Sequence, residues 1–407
     1  MAFQSSANAW IAFKSQSGLG VPASGSGGTV LRTTGGQGGR LNIAAYESAE
    51  VRRDGMSTRG RHGTRKTTGA YSSELSLGSH DAIMEAIFRG TYGSADLALT
   101  QSDFTSLTTT TSTIVLTSGS PISLGLRVGD VIRLTGMTAT ANNSKNLRIT
   151  ALSSTTITVA ETLVLDAVAD TSCTITRPGR VLINPAVGSL TNRYFTIDEY
   201  EQDIDVSTTY TDAMWSSMKF AMQPNGLITM DTNWVGTGGT TANSTGASPV
   251  LTSPTESTGE PLSVVDATLR IGSTDVVLTG LDLMFDISPS SVDVIGSNTS
   301  PDVFPGDMKV SGSFSALRSD LSYLSSYLAE TVMSLQVLAV ENESEPKSFV
   351  SIYIPNFTLG SADRSALAKA GSAMTQTMQI PAALVGKMPT TSGYDDAMAK
   401  IQISNAS

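Results

Sequence analysis

The chain is poor in the residues that carry chemistry. Its 407 residues include one cysteine, Cys173, and two histidines, His62 and His80. A single cysteine excludes an intrachain disulfide framework and fits folding in a reducing cytoplasm. Neither histidine sits in an H-E-x-x-H pattern or beside the cysteine, so no metal site and no cofactor is expected. Charged residues are only 15% of the chain, well below the usual quarter. No apolar run approaches the roughly 18 residues that a membrane span requires. The opening from Met1 to Trp10 is small and polar, without the basic start and apolar core of an export signal.

Signatures of catalysis are equally scarce. The Gly25-Ser26-Gly27 run lacks the strand-to-helix context of a nucleophile elbow. Gly35-Gly36-Gln37-Gly38-Gly39 lacks the Lys-Ser/Thr pair of a phosphate-binding loop. Both read as flexible linker. No pair of carboxylates is singled out for acid–base work, and an enzyme is not expected. The net charge of −10 argues against a nucleic-acid binder, because such affinity comes mostly from neutralising phosphates. The same charge suits a surface along which DNA slides without sticking.

What the chain does have is Thr, Ser and Gly, and short Thr/Val/Ile-rich runs broken by Gly, Pro and Asn. That texture predicts a mainly β protein. Residues 1–28 read as an N-terminal arm, Gly/Ser-rich at its end. A strand at 41–46, a polar loop at 47–68, a strand at 70–77 and a helix at 82–89 follow. The helix shows Ala82, Ile83, Ala86 and Ile87 at helical spacing, and Gly90 ends it. From 103 to 178 the strands become short and Thr/Ser-rich, which reads as a small inserted β domain leaving from a surface loop and dispensable for assembly. Strands at 194–206, 214–222 and 227–235 come next, the last two joined by Pro224-Asn225-Gly226, a strong hairpin signal. Residues 236–259 read as a Gly/Thr/Ser linker.

The remainder, 260–407, repeats the plan. It has a strand, a long loop at 288–305, a strand, a helix at 316–329 with Leu317, Leu321, Leu324 and Leu328 on one face, and further strands. The order matches that of 29–102 plus 179–235, with the insert removed. The identity between the halves is negligible, so the match is one of pattern.

Two charged features stand out. The loop from Val51 to Lys66 carries Arg52, Arg53, Arg59, Arg61, Arg65 and Lys66 against a single acid, Asp54. It reads either as a solvated basic loop or as an arm that docks on carboxylates of another subunit, which arginine forks suit. The run 197–206 places Glu199, Glu201, Asp203 and Asp205 at alternate positions, hence on one strand face. That face would be solvated, line a channel, or receive basic arms.

The segment Phe13-Lys14-Ser15-Gln16-Ser17-Gly18-Leu19-Gly20-Val21-Pro22-Ala23 resembles the K-x-x-x-G-x-G-x-P opening of siphophage tail tube proteins. Tyr194-Phe195-Thr196-Ile197-Asp198-Glu199-Tyr200 resembles their S-F-T-x-E-E strand, and Met218-Lys219-Phe220 with Pro224-Asn225-Gly226 their hairpin. The insert, with Gly125-Leu126-Arg127-Val128-Gly129-Asp130-Val131, is similar to small β domains carried outside such tubes. The resemblance implies two tandem β-sandwich or barrel domains, each with a flanking helix. It implies stacked rings around a DNA conduit in the virion tail, assembled in the host bacterial cytoplasm. The two long loops would reach to the next ring. A duplicated subunit would form trimeric, pseudo-hexameric rings, the alternative being hexamers. The implied partners are the chain itself, the tape measure and terminator proteins, and genomic DNA passing without specific binding, with no membrane. A capsid decoration or fibre protein is the alternative reading.

Overall fold

The computed structural model describes residues 3–404 apart from 94–95, 245, 342–343, 367–370, 372 and 391–392. In chain order the elements that matter here begin with β1 (Ala9–Ser15), β2 (Thr29–Leu31), β3 (Thr33–Tyr46), β4 (Arg61–Glu74) and α1 (Asp81–Phe88). After the insert come β5 (Arg180–Ile183), β6 (Phe195–Glu201), β7 (Val206–Met222), β8 (Thr229–Gly236) and β9 (Thr240–Asn243). They are followed by β10 (Ala267–Ile271), β11 (Leu278–Asp286), β12 (Lys309–Leu317) and α2 (Ser322–Leu328). The last are β13 (Met333–Val340), β14 (Phe349–Phe357), β15 (Ser361–Arg364), β16 (Thr375–Ile380) and β17 (Lys400–Ser404).

One 12-stranded sheet runs through both halves of the chain. Along it the antiparallel order is β3-β4-β8-β7-β11-β12-β16-β15. The N-terminal half of β7 leaves this order and pairs with β6 and β9, and β6 continues to β1 and β2. Register shifts in β7 beside Trp215 and opposite Phe195 are the bulges that bend one strand between two layers. A second, seven-stranded sheet holds β5, β17, β14, β13 and β10.

Between the layers lies the core. The strands alternate with a period of two: in β8, Met230, Thr232 and Trp234 are buried while Asp231 and Asn233 are not. Trp215 packs edge-on against Phe13, Phe195 and Tyr71, and Phe285 meets Phe220 and Phe88. Helix α1 buries Ile83, Met84, Ala86, Ile87 and Phe88.

Several expectations need correction. The arm at 1–28 contains β1, which is paired along its length with β6, because Ala12 and Phe13 are buried. The Gly35–Gly39 run is no linker: it lies in β3, where a Cβ on Gly36 would meet the Ala70 carbonyl at 2.4 Å and one on Gly39 the Tyr210 ring at 2.3 Å. Glycine is needed there for close approach. The described residues of 236–259 are likewise no linker: β9 pairs with β7, and the Val250 and Leu251 N–H groups donate to the buried Asp198 carboxylate at 2.7 and 3.0 Å. Strand β5 hydrogen-bonds to the C-terminal β17, so the expected halves interleave rather than follow one another. Helix α2 starts at Ser322, not 316, because the Asp320 carboxylate takes the Ser322 N–H at 2.8 Å and Leu317 stays in β12. Its apolar face is not buried: Leu321 and Leu328 are exposed.

The Thr/Ser-rich insert has its own eight-stranded sheet, opening with Leu97–Leu99 paired to Thr174–Arg177, and its own core around Phe104, Leu126, Ile132 and Ile149. The insert packs onto the second sheet through hydrogen bonds and apolar contacts. Gln402 in β17 accepts from the Val131 N–H and donates to the Val131 and Pro178 carbonyls. Val131 packs with Leu338, Val340 and Phe349. The Lys400 ammonium, 2% exposed, meets Asp130, 1% exposed, at 2.9 Å and donates to the Val128 carbonyl at 2.7 Å. Burial pulls the Lys400 pKa below its usual value, and Asp130 opposes the shift. Removing one partner of a buried pair strands the other charge. Asp130→Ala should therefore lower the urea unfolding free energy by about 3–5 kcal/mol, and Asp130→Ala with Lys400→Met should recover most of it.

Candidate functional site

Strands β3 and β4 form a long two-stranded arm whose tip is the loop 47–60, shorter than the expected 47–68 because pairing continues to Tyr46–Arg61. Arg52, Arg53 and Arg59 lie on this tip, exposed, whereas Arg61, Arg65 and Lys66 belong to β4. Arg52 forks onto Asp54 at 3.0 and 2.7 Å, and this contact, followed by the Met56 N–H, holds the Asp54 pKa below the usual carboxylate value. At the arm's base the Arg65 N–H donates to the Asn298 carbonyl at 2.7 Å, and the Lys66 ammonium stands 3.5 Å from Asp293. The basic arm is thus joined to the second long loop.

The acidic run does not form one strand face. Strand β6 stops at Glu201, the chain turns, and Asp205 adopts a left-handed φ of 49°. The Glu199 carboxylate accepts from the Tyr71 hydroxyl at 2.8 Å and the Gly39 N–H at 2.7 Å, fastening β6 to the arm. Burial, and then the Glu199 charge, push the Tyr71 pKa up. Asp203 accepts from the Ser5 N–H at 2.7 Å and Asn8 at 2.8 Å, and Asp205 from Tyr200 and Ser248, both at 3.1 Å. Glu201 stands half-buried at the end of β6. The alternation that placed four carboxylates together fails where the strand ends.

The extended polar surface lies elsewhere, on the outer face of the eight strands from β3 to β15. Across it the register sets Ser72 beside Asp231, Asp231 beside Lys219, and Lys219 beside Met284. A second row runs from Ala221 through Asp282 and Ser313 to Gln379 and Ser361. The opposite face of the same strands is core: Tyr71, Met230, Met218, Phe220, Phe285, Phe314 and Met378. Lys219 and Asp282 lie 3.4 Å apart across the β7–β11 junction; both are about half exposed, so the pair contributes about 0–1 kcal/mol. The surface is a wide field of hydroxyls and amides with few cations. The signal for it was in the sequence, in the alternation of 227–235, but which of many polar strand faces join into one surface depends on strand order.

Among the described residues no group of three or more His, Cys, Asp or Glu could hold a metal ion. His80 comes nearest to a catalytic arrangement, with Nε2 2.8 Å from the Ser73 hydroxyl and Nδ1 2.5 Å from the Ser79 hydroxyl. It is completely buried, so no substrate reaches it, and its place is structural, at the start of α1. Burial, and then the Arg32 charge, lower its pKa to about 4.

The phage tail tube protein family matches residues 6–383 of the chain. The chain belongs to the phage tail tube protein family. No curated protein matches it significantly. Membership sets this tail tube protein among structural components of the virion tail, which work by assembling with copies of themselves and with other tail proteins. No helix among the described residues is long and apolar enough to cross a membrane.

The buried histidine of this tail tube protein gives a pH prediction. A group whose folded pKa lies below its unfolded value is neutral in the fold and takes up a proton more readily when unfolded. Its stabilisation is full above about pH 6.5 and is lost as pH falls towards 4. The full loss is about 3 kcal/mol, at 1.36 kcal/mol per pKa unit. Urea titrations at pH 7 and pH 4.5 should show this decline in the wild type and a smaller one in His80→Asn.

Proposed function

We propose that this tail tube protein builds the stacked rings of a long-tailed phage tail around a lumen through which DNA leaves the capsid. The observation that carries the reading is the strand order of the large sheet. Four strands, β3-β4-β8-β7, are followed by four more, β11-β12-β16-β15, in one antiparallel sheet. In each set a long arm or loop joins the first two strands, a helix follows the second, and the last two are consecutive in the chain. Each chain therefore supplies two copies of one unit, and three chains supply six. Closing them into a ring removes the open sheet edges that otherwise invite aggregation.

The outer face of these strands is the wall such a ring would turn to its lumen. Small hydroxyl and amide side chains with few cations offer DNA phosphates no set of positive charges to displace counterions, so a passing duplex is not held. The basic arm carries the stacking role. Arg53, Arg59 and Arg61 stand exposed near its tip, where the rest of the acidic chain can supply carboxylates on the neighbouring ring. Arginine forks suit such partners.

Negative-stain electron microscopy of the purified chain should show rings or hollow tubes with three chains per ring; a dispersed monomer, or six chains per ring, would overturn the reading. The quadruple change Arg52→Ser, Arg53→Ser, Arg59→Ser and Arg61→Ser should leave rings intact and shorten or abolish tubes. Raising salt should weaken wild-type stacking in the same direction, since exposed charge pairs are screened.

A further inference from the structure

We propose that Glu199 and Tyr210 are positioning residues of the basic arm: together with the second long loop they fix the direction in which the arm leaves the subunit before a neighbouring copy is met. The proposal deepens the stacking role given to the arm above and rests on it.

A two-stranded ribbon by itself is marginally stable in water. Strand β4 pairs with β8 from Thr67 to Glu74. Residues 61–66 of β4 and 42–46 of β3 therefore run on together without β8 beside them. At 3.2–3.4 Å per residue this overhang is roughly 20 Å long before the tip at 47–60 begins. A lever of that length magnifies any looseness at its root, so the place of the arginines depends on what holds the root.

The first hold is at the root itself. Gly39 of β3 stands opposite Gly69 of β4. A Cβ on Gly39 would meet the Tyr210 ring at 2.3 Å, and one on Gly69 the Trp234 ring at 2.3 Å. Those two rings are buried, with centroids 5.1 Å apart, so the glycine pair lets the ribbon lie directly against them. Both polar groups of Gly39 are then taken from the other layer. Its N–H donates to Glu199 Oε1 at 2.7 Å, and its carbonyl accepts from the Tyr210 hydroxyl at 2.8 Å. The same Glu199 oxygen accepts from the Tyr71 hydroxyl at 2.8 Å. Tyr71 lies on β4, so one carboxylate on β6 ties down both strands of the arm. Hydrogen bonds to a carboxylate are stronger than those between neutral groups.

The second hold lies farther out and on the other side chain path. The Arg65 N–H, four residues beyond Gly69 along β4, donates to the Asn298 carbonyl at 2.7 Å. The Ser300 N–H in turn donates to the Thr237 carbonyl at 2.9 Å, just past the end of β8. The two holds are roughly 13 Å apart along the strand. A ribbon held at one point pivots. Held at two, on different strands and from different parts of the chain, it neither swings nor twists without breaking one of them. The ordering of the arm is then complete on folding, and more of the contact made by its arginines serves the interface.

The test is a distance measurement between spin labels on Met56→Cys at the tip and Ala242→Cys on β9, both exposed positions. Cys173 is buried and stays unlabelled. The doubly labelled chain is diluted into unlabelled chain in high salt, where arms are not stacked. It should give one narrow distribution. Glu199→Ala should widen it several-fold, and Tyr210→Phe, which removes only the hydroxyl, should widen it less. Glu199→Gln, whose amide oxygen still accepts the Gly39 N–H, should stay close to the parent. Electron microscopy at low salt should show tube length falling in the same order with the ring fraction unchanged. Residues that merely stabilise the fold would lower the melting temperature without widening the distribution. A broad distribution in the parent, or a narrow one in Glu199→Ala and Tyr210→Phe, would overturn the proposal; should Glu199→Ala fail to fold, Tyr210→Phe decides. A parent chain that forms no tubes would overturn the stacking reading, and the distances would still decide whether the arm is held.

Discussion

Strand β7 is the member on which the rest of the molecule depends. Its first half completes the layer of β6, β1 and β2, and its second half joins β8 to β11. Backbone groups along a strand in the middle of a sheet have no water to turn to, so a neighbour on each side is close to obligatory. Meeting that demand at one strand fixes where the N-terminal segment lies and where the second half begins. The bulges beside Trp215 let one strand serve two layers, and the aromatic cluster of Trp215, Phe13, Phe195 and Tyr71 fills the angle so formed.

The insert is the second structural commitment. Burying Lys400 and Asp130 together is costly unless every remaining hydrogen bond is made. Here the Val128 carbonyl, the Arg127 N–H and the Gln402 amide clamp complete the arrangement. Such a contact tolerates little displacement. The insert thus covers part of the seven-stranded sheet.

A tube subunit must be sticky to its own kind and inert to what passes through. On the proposed reading the two demands fall on different parts of the same strands. In the proposed tube the arginines of the arm would serve attachment, while the outer face of the large sheet shows short side chains with few charges.

The amino-acid sequence alone determined that the protein is built of strands, that helix α1 follows β4 and that Pro224-Asn225-Gly226 turns a hairpin. These are local properties, written in residue type and in periods of two and 3.6. The apolar Ala12 and Phe13 of β1 stand beside a stretch rich in glycine and serine, whose composition masks the strand. Only the tertiary structure decided which polar faces join into one surface, that β5 lies beside β17, and that the four acids from Glu199 to Asp205 part company at a turn. The same is true of the glycines at 35–39, where composition suggests flexibility and the close Ala70 backbone and Tyr210 ring impose a strand. The reason is physical: strand partners, ring contacts and buried ion pairs are made between residues far apart in the chain, and no local period records them.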